Sequence, residues 1–483
     1  MIRFLTLLLG LVIGPWPVAL DVGPDVARVD LLLDGVEVAS VAGEPWQATV
    51  DLGEELAPHH LVAVARGADG AELGRTEQWI NLGPSPLEVE LDVERDEAGK
   101  PVAARVIWQS VEDLAIERVT LSLDGEPLPL DERYRAALPP LPQDALGLLQ
   151  AEVVLASGAA AQAGRLLGGR YGEHSEVGLT TVPLRVGRRL PRGTGKLAWL
   201  RVAGEPAAAV AVERGDADIL VVTDRSALPE LDSLKERYER WVAKQDKSIR
   251  GLDTANKGVN PALTLLSGGL DPGDRVWYVA PEAERVRPAA SPAASAAAPG
   301  QAAWLFRRFG PVGVELGGLP NQLLRLNLPP AAAPQRLADA VATAGRDAYG
   351  SGRPRAVLAV VGPGMEDASI HRFQAVRRYL GSLGVPLHVW YVEHAPGRRY
   401  NRVLRSAGAP PSNRDQRLAD AEARLGPVTD VSRVGALIAA TAALREDLDS
   451  QQIVWIEGRF LPSAVTLVEP PRGVSLLDGA AAR

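Results

Sequence analysis

The tripeptide Leu33-Asp34-Gly35 returns as Leu123-Asp124-Gly125, 90 residues further on (123 − 33), each time at the end of a short apolar run. Around the first copy, in VARVDLLLDGVEV, Val29, Leu31 and Leu33 recur at every second position. An Asp-Gly pair between two such runs supplies the two left-handed residues that a tight hairpin turn requires. The sequences downstream correspond as well. HHLVAVARGADGAELGR, from His59 to Arg75, has a counterpart in GLLQAEVVLASGAAAQAGR, from Gly147 to Arg165. A turn repeated together with its flanking strands implies one supersecondary unit used twice.

From Ala27 to about Leu200 the pattern stays the same: short alternating runs punctuated by Gly, Pro and Asp. Such spacing is the signature of β-sandwiches, and modules of roughly 60 to 100 residues suit immunoglobulin-like or fibronectin-like examples. The expectation is two Ig-like modules, 21–83 and 84–183, followed by a β-rich connector over 184–213. One larger β domain is the alternative.

Near Asp218 the period changes. DADILVVTD is continuously apolar, as expected of a strand buried on both faces of a parallel sheet. It is followed by LPELDSLKERYERWVAKQ, with Leu231, Leu234, Tyr238 and Trp241 at helical spacing behind a first-turn Pro. DRVWYVA (Asp274 to Ala280) and VGVEL (Val312 to Leu316) read as further strands. Next come a strand at Arg355 to Gly362, a helix at Ser369 to Leu383 and a strand at Val385 to Glu393, which make a βαβ unit. A last helix, VGALIAATAALREDL, leads to a strand at Gln452 to Phe460. The expected domain is therefore α/β, Rossmann-like with a mainly parallel sheet, over 214–460. It carries a flexible Ala/Pro-rich insertion at 287–303, and a tail occupies 461–483. At roughly 150 residues per domain, 483 residues agree with a multidomain chain.

The order of these strands and helices from Ile219 to Phe460 resembles the von Willebrand factor type A fold, and more narrowly bacterial von Willebrand factor A-related proteins with N-terminal immunoglobulin-like segments. In that family a metal-ion-dependent adhesion site has the form Asp-x-Ser-x-Ser after the first strand, with a further Asp after the fourth. The resemblance places Asp224 and Ser226 on the first motif, but Leu228 stands at its second Ser and Gly362 at the later Asp. One carboxylate and one hydroxyl hold Mg²⁺ weakly, because its dehydration is costly, and Arg225 opposes a cation further. The expected site is vestigial, with no metal and no cofactor. Glu366, Asp367 and Ser369 are the residues that could rebuild it for Mg²⁺. Asp224 and Ser226 also have plain structural roles open to them, as a helix N-terminal carboxylate and a cap.

Composition removes other chemistry. With no Cys there are no disulfides, thiolate zinc sites, iron–sulfur clusters or Cys nucleophiles. A net charge of −8 without a long basic run removes the footprint of a nucleic-acid binder. None of the six His stands in H-E-x-x-H, no G-x-S-x-G or G-x-G-x-x-G occurs, and Gly193-Thr194-Gly195-Lys196 lacks the rest of a P-loop. His371 and His388 are expected on a helix and a strand as packing residues. The ten Trp fall mostly in expected strands and read as core.

The N-terminus has Arg3, an apolar run from Phe4 to Ile13 and small residues near Ala19, the layout of a signal peptide over 1–20. A buried N-terminal strand or helix is the alternative. Ten apolar residues fall short of the ~20 that span a bilayer, so no integral membrane segment is expected after cleavage.

The expected protein is exported, periplasmic or extracellular, and non-enzymatic: a binding, adhesion or scaffolding protein with a protein partner. Ligands of open α/β sheets approach the carboxyl ends of the strands, which sets Asp224, Ser226, Gly362, Met365, Glu366 and Asp367 on the partner-binding face. A metal-dependent adhesin with a rebuilt site, and a hydrolase using carboxylates at the same strand ends, are the alternatives.

Overall fold

A computed structural model describes residues 2–6, 8, 10–82, 87–96, 100–110, 116–140, 146–155, 160–168, 179–187, 190, 195–250, 270–271, 273–286, 303–313, 318–324, 326, 334–393 and 413–477. The chain is multidomain and rich in strands. The expected insertion at 287–302 lies outside the described residues.

Seven strands come first: β1 (Ile2–Phe4), β2 (Pro15–Val22), β3 (Arg28–Leu33), β4 (Val36–Val41), β5 (Gln47–Asp51), β6 (His59–Arg66) and β7 (Glu72–Ile80). They pair in two sheets, β1-β2-β5 and β4-β3-β6-β7. Alternating residues of both sheets, among them Val18, Leu31, Val50 and Leu61, bury one shared core. The next seven repeat the pattern: β8 (Leu87–Arg95), β9 (Pro101–Ser110), β10 (Ile116–Leu123), β11 (Glu126–Pro127), β12 (Arg135–Ala137), β13 (Leu146–Leu155) and β14 (Ala160–Gly168). Their sheets, β8-β9-β12 and β11-β10-β13-β14, match those of the first module strand for strand. Both modules are thus β-sandwiches of the Ig-like kind, with three strands facing four. Asp34-Gly35 and Asp124-Gly125 form the hairpin turns, all four residues at positive φ.

Three more strands follow, β15 (Leu179–Val186), β16 (Gly195–Val202) and β17 (Glu205–Glu213). The chain then leaves this region through β18 (Asp218–Thr223), α1 (Leu228–Arg250), β19 (Arg275–Val286), β20 (Ala303–Gly313), α2 (Gly318–Leu324) and α3 (Leu337–Gly350). It continues through β21 (Arg355–Val361), α4 (Phe373–Ser382), β22 (Leu387–Tyr391), α5 (Asn413–Leu425), β23 (Thr429–Asp430) and α6 (Val434–Asp449). The last strands are β24 (Gln451–Glu457), β25 (Val465–Leu467) and β26 (Val474–Leu476).

Strands β18 to β23 pair in the order β20-β19-β18-β21-β22-β23. All neighbours are parallel except β19 and β20, an antiparallel hairpin at the edge. Leu220, Val222, Val357, Ala359 and Val361 turn to one core with α3, α4 and α5. Ile219, Val221, Ala356, Leu358 and Val360 turn to the other with α1, α2 and α6. Two buried faces explain the continuous apolar reading of these strands. In α1, Leu231, Leu234 and Tyr238 form the buried stripe. The third strand runs over Ala303–Gly313, earlier than the expected Val312 to Leu316.

One expectation needs correction here. The strand at Gln452 to Phe460 does not close the helix-flanked sheet. As β24 it lies between β17 and β15, antiparallel to both, in a six-stranded sheet ordered β25-β16-β17-β24-β15-β26. The residues expected as a connector and a tail belong to that sheet, and the helix-flanked unit is inserted between β17 and β24. The reason is burial: Val454 and Ile456 enter one core and Ile453 is buried opposite, so β24 has the same apolar reading in either sheet. Residues 1–20 are expected as a leader, with a buried N-terminal strand or helix as the alternative. The run read as the core of a leader packs inside the first module, with Ile2, Leu8, Val12, Val18 and Leu20 buried beside Val29 and Leu61. A ten-residue apolar run suits a leader and a sandwich core equally well. No described helix is long and apolar enough to cross a membrane.

Buried polar contacts fix the seam between the two sheets. Arg355 N–H donates to Gln451 Oε1 at 2.9 Å, and Gln451 Nε2 donates back to the Arg355 carbonyl at 3.1 Å. The Arg355 guanidinium donates to the Tyr349 carbonyl at 2.8 Å and lies over the Tyr349 ring. Burial holds its pKa down to about 10. On the side of the second module, Arg275 forms a paired bridge to Asp218 at 2.7 and 2.8 Å and reaches Glu152 of β13 at 3.7 Å.

Between β16 and β17 the turn is Ala203-Gly204, again with both residues at positive φ, although Ala203 carries a Cβ that disfavours φ of 49°. Asn adopts that conformation readily and leads at this turn position. Ala203→Asn should therefore stabilise the antiparallel sheet by about 0.5–1 kcal/mol, read as a rise in the melting temperature of the transition that includes β15–β17. An unchanged or lower transition would show that the turn is not strained.

Candidate functional site

Strand β18 ends at Thr223, and the chain turns sharply through Asp224-Arg225-Ser226 into α1. The turn is held from several sides. Asp224 N–H donates to the Val360 carbonyl at 2.8 Å, and Gly362 N–H donates to Asp224 Oδ2 at 3.2 Å. The Ser226 hydroxyl donates to the same oxygen. Arg225 N–H donates to Gln335 Oε1 at 2.8 Å, while its guanidinium pairs with Glu282 on the overhanging part of β19. The Asp224 carboxyl is fully buried. Its Oδ1 accepts no well-formed hydrogen bond among the described residues, with the Gln335 side chain alongside. Burial pushes its pKa up, against the opposing hydrogen bonds from Ser226 and Gly362.

Gly362 lets the two strand-end loops approach closely. A Cβ at this position would stand 2.4 Å from the carbonyl carbon and oxygen of Ser226 and 2.5 Å from the Ala227 nitrogen. The two strand-end loops touch backbone to backbone, which only glycine permits. Leu228, where the resembled motif has its second Ser, packs against the apolar cluster on the α1 side. Gly362 thus lets the two loops meet, and Leu228 adds to the core beneath them.

The loop after β21 is equally occupied with its own support. Asp367 Oδ1 accepts from Leu337 N–H at 2.9 Å, from Ser369 N–H at 3.0 Å and from the Ser369 hydroxyl. It thereby satisfies a free donor at the N-terminus of α3. In return Asp339, in the first turn of α3, accepts from Ile370 N–H at 3.0 Å, His371 N–H at 3.1 Å and the His371 ring at 2.8 Å. Asp339 N–H donates to Ser369 Oγ at 3.1 Å. Burial works against the charge on Asp339, but the His371 ring and the two N–H groups outweigh it and hold its pKa below the usual range. His371 sits in this loop ahead of α4, not on the helix, and it is buried. His388 lies on β22 as expected, facing Asp447 at 3.3 Å.

A third turn of the same form closes the far edge. Ser432 donates its hydroxyl to Asp430 and accepts Glu393 N–H at 2.9 Å, and Arg414 reaches Asp430 at 2.7 Å. Of the Asp-x-Ser stretches in the sequence, those at 224–226, 367–369 and 430–432 form strand-end turns with the Ser hydroxyl on the Asp carboxylate, while 246–248 lies in α1. The recurrence is plain in the sequence and is the signal that reading the first motif alone missed. Gln335, Glu282 and Asp339, which complete these contacts, carry no such signal because they come from distant elements.

The six residues expected on one face thus divide. Asp224 and Gly362 are buried; Ser226, Met365 and Asp367 are half-buried; Glu366 is exposed. Beside Glu366 the loop displays Ile370, 60% exposed. Among the described residues no three acidic, His or Cys side chains converge in a way that could hold a metal ion.

No family model matches the chain, and no curated protein does. Among solved structures, the fibronectin(III)-like modules of CbhA from Clostridium thermocellum share 20% identity over 17% of this chain and 93% of that one, with a TM-score of 0.15. The central fibronectin-III array of RIM-binding protein shares 12% identity over 38% of this chain and 77% of that one, with a TM-score of 0.20. At these scores the likeness adds nothing to the strand pairing described above.

Two outcomes follow from the closed turn. Gly362→Ala should destabilise the inserted unit by about 2–3 kcal/mol, since the clash is with backbone that has no rotamer to change; an unshifted melting curve would mean the loops separate freely. The raised pKa of Asp224 favours the folded state at low pH, and that contribution is lost as pH rises through the folded value. Asp224→Asn should then be more stable than the parent at pH 7–8, with the gain shrinking towards pH 4. Denaturant titrations across that range would show it, and a gain that instead grows in acid would refute it.

Proposed function

We propose that the chain is a non-enzymatic binding or scaffolding protein whose inserted unit is a von Willebrand factor type A-like domain that recognises a protein partner without a metal ion. The strand order supports the fold part of the reading: a sheet with its first strand central, an antiparallel hairpin on one side and three parallel strands on the other. The single observation that carries the functional part is the direct contact of Gly362 with the Ser226–Ala227 backbone over a buried Asp224 carboxyl. A carboxylate sealed in this way has no position to offer a cation that must also meet a partner.

Recognition then passes to the surface of the loop after β21, where Glu366 and Ile370 face solvent and Asp367, Ser369, Asp339 and His371 hold the backbone still. A loop fixed in advance loses less freedom on binding, and a single apolar side chain beside a charge is a small but directional contact. The acidic residues nearby serve as caps and turns, which weighs against the hydrolase alternative. The adhesin alternative would need Asp367 and Ser369 to abandon the α3 terminus.

Calorimetric titration with Mg²⁺, Mn²⁺ and Ca²⁺ should give no saturable heat. In pull-downs, a Glu366→Arg, Ile370→Asp variant should recover at least one partner less well than the parent, while Asp224→Asn recovers all of them equally. Micromolar cation binding abolished by Asp224→Asn would overturn the metal-free reading, and equal recovery by the loop variant would remove this loop. Export is proposed as a statement about location alone, independent of whether residues 1–20 are removed, and is tested by fractionation of the native cells.

A further inference from the structure

Strand β1 and the chain between it and β2 have a role that neither the leader-like composition nor the partner reading uses. The β1-β2 hairpin occupies the place that the β8-β9 hairpin holds in the second module, against β5 as β8-β9 stands against β12. The connecting segment is tied down by side chains of β7 and its end. Leu8 N–H donates to Gln78 Oε1 at 3.0 Å, and Gln78 Nε2 donates to the Thr6 carbonyl at 2.8 Å. Val12 exchanges both its backbone bonds with the Asn81 amide, at 2.8 Å each.

Asn81 also joins two domains. It is buried, at a φ of 57°, and its Nδ2 donates to the Ala57 carbonyl at 2.8 Å, while its own carbonyl accepts from the Tyr379 hydroxyl on α4. Around this contact Leu11, Ile13, Leu56 and Leu82 pack on the core that contains Val376, Tyr379 and Leu380. Arg378 on the same helix reaches Glu55 at 3.1 Å. The N-terminal segment is therefore the middle layer between the first sandwich and the inserted unit.

We propose that the segment carrying Leu8, Leu11, Val12 and Ile13 stays in the mature protein as a strap, clamped by Asn81, that couples the first module to helix α4. Cleavage near Ala19 would remove β1 and most of β2, which is the partner strand of β5, and would take Leu11 and Ile13 from the apolar cover of α4.

The test uses the full chain. Hydrogen exchange is followed in peptides covering residues 5–14 and α4, for the parent, Asn81→Ala and Tyr379→Phe; the second variant removes one hydroxyl and keeps the buried ring. Both peptides should exchange about tenfold faster together, as expected for leaving one buried polar group without its partner. Acceleration confined to residues 5–14, or in neither peptide, would overturn the coupling. Independently, the intact mass of the protein from its native cells should include residues 2–22. A mature chain beginning between Pro15 and Asp21 would overturn the strap, whatever the partner-binding loop proves to do.

Discussion

Everything in the second half of the molecule depends on β24 taking its place between β15 and β17. Those two strands come before the inserted unit and β24 after it, so the antiparallel sheet cannot close until the whole insertion has brought its ends together. The Arg355–Gln451 exchange and the Arg185–Asp447 bridge at 2.6 Å then tie the end of the insertion to the sheet that receives it. Contacts so distant in sequence are slow to form, because chain entropy is lost before they contribute. The inserted unit, whose strands pair mostly with near neighbours, has the more local fold of the two.

The same economy of contact governs the carboxyl ends of the parallel strands. In open sheets of this type the loops diverge there and leave a crevice. Here they converge. Gly362 removes the side chain that would hold two loops apart, Leu228 fills the core below, and the Arg225–Glu282 pair draws the β19 overhang across the opening. Polar groups that elsewhere serve ligands are spent on one another, which is how buried hydrogen-bonding groups avoid the cost of being left alone. Among the described residues of the loop after β21, Glu366 and Ile370 stand exposed to water.

Much of this was legible in the sequence. The repeated Asp-Gly turns marked both sandwiches, and the continuous apolar runs at Ile219 and Ala356 marked strands with two buried faces. The identities of Leu228 and Gly362 were visible in the sequence, but their steric meaning was not, since nothing local shows that Gly362 meets Ser226. The placement of β24 was illegible for a similar reason: Ile453 and Ile456 report burial, not the direction of the neighbouring strand. Residues 1–20 were ambiguous because a leader and a core strand make the same demand on composition. His371 looked helical by position and proved to be a loop residue, held by Asp339 from 32 residues away.

The insertion also decides how the molecule would carry a mechanical load. Tension applied across the antiparallel sheet enters at β15 and leaves through β26, and these strands are directly paired, Leu184 opposite Leu476. The three-residue β26 peels first. The helix-flanked unit is joined to this sheet through β17 and β24 and is held to the two sandwiches by Tyr379–Asn81, Arg378–Glu55 and Arg275–Glu152, so a load would reach it through those contacts as well as through β24.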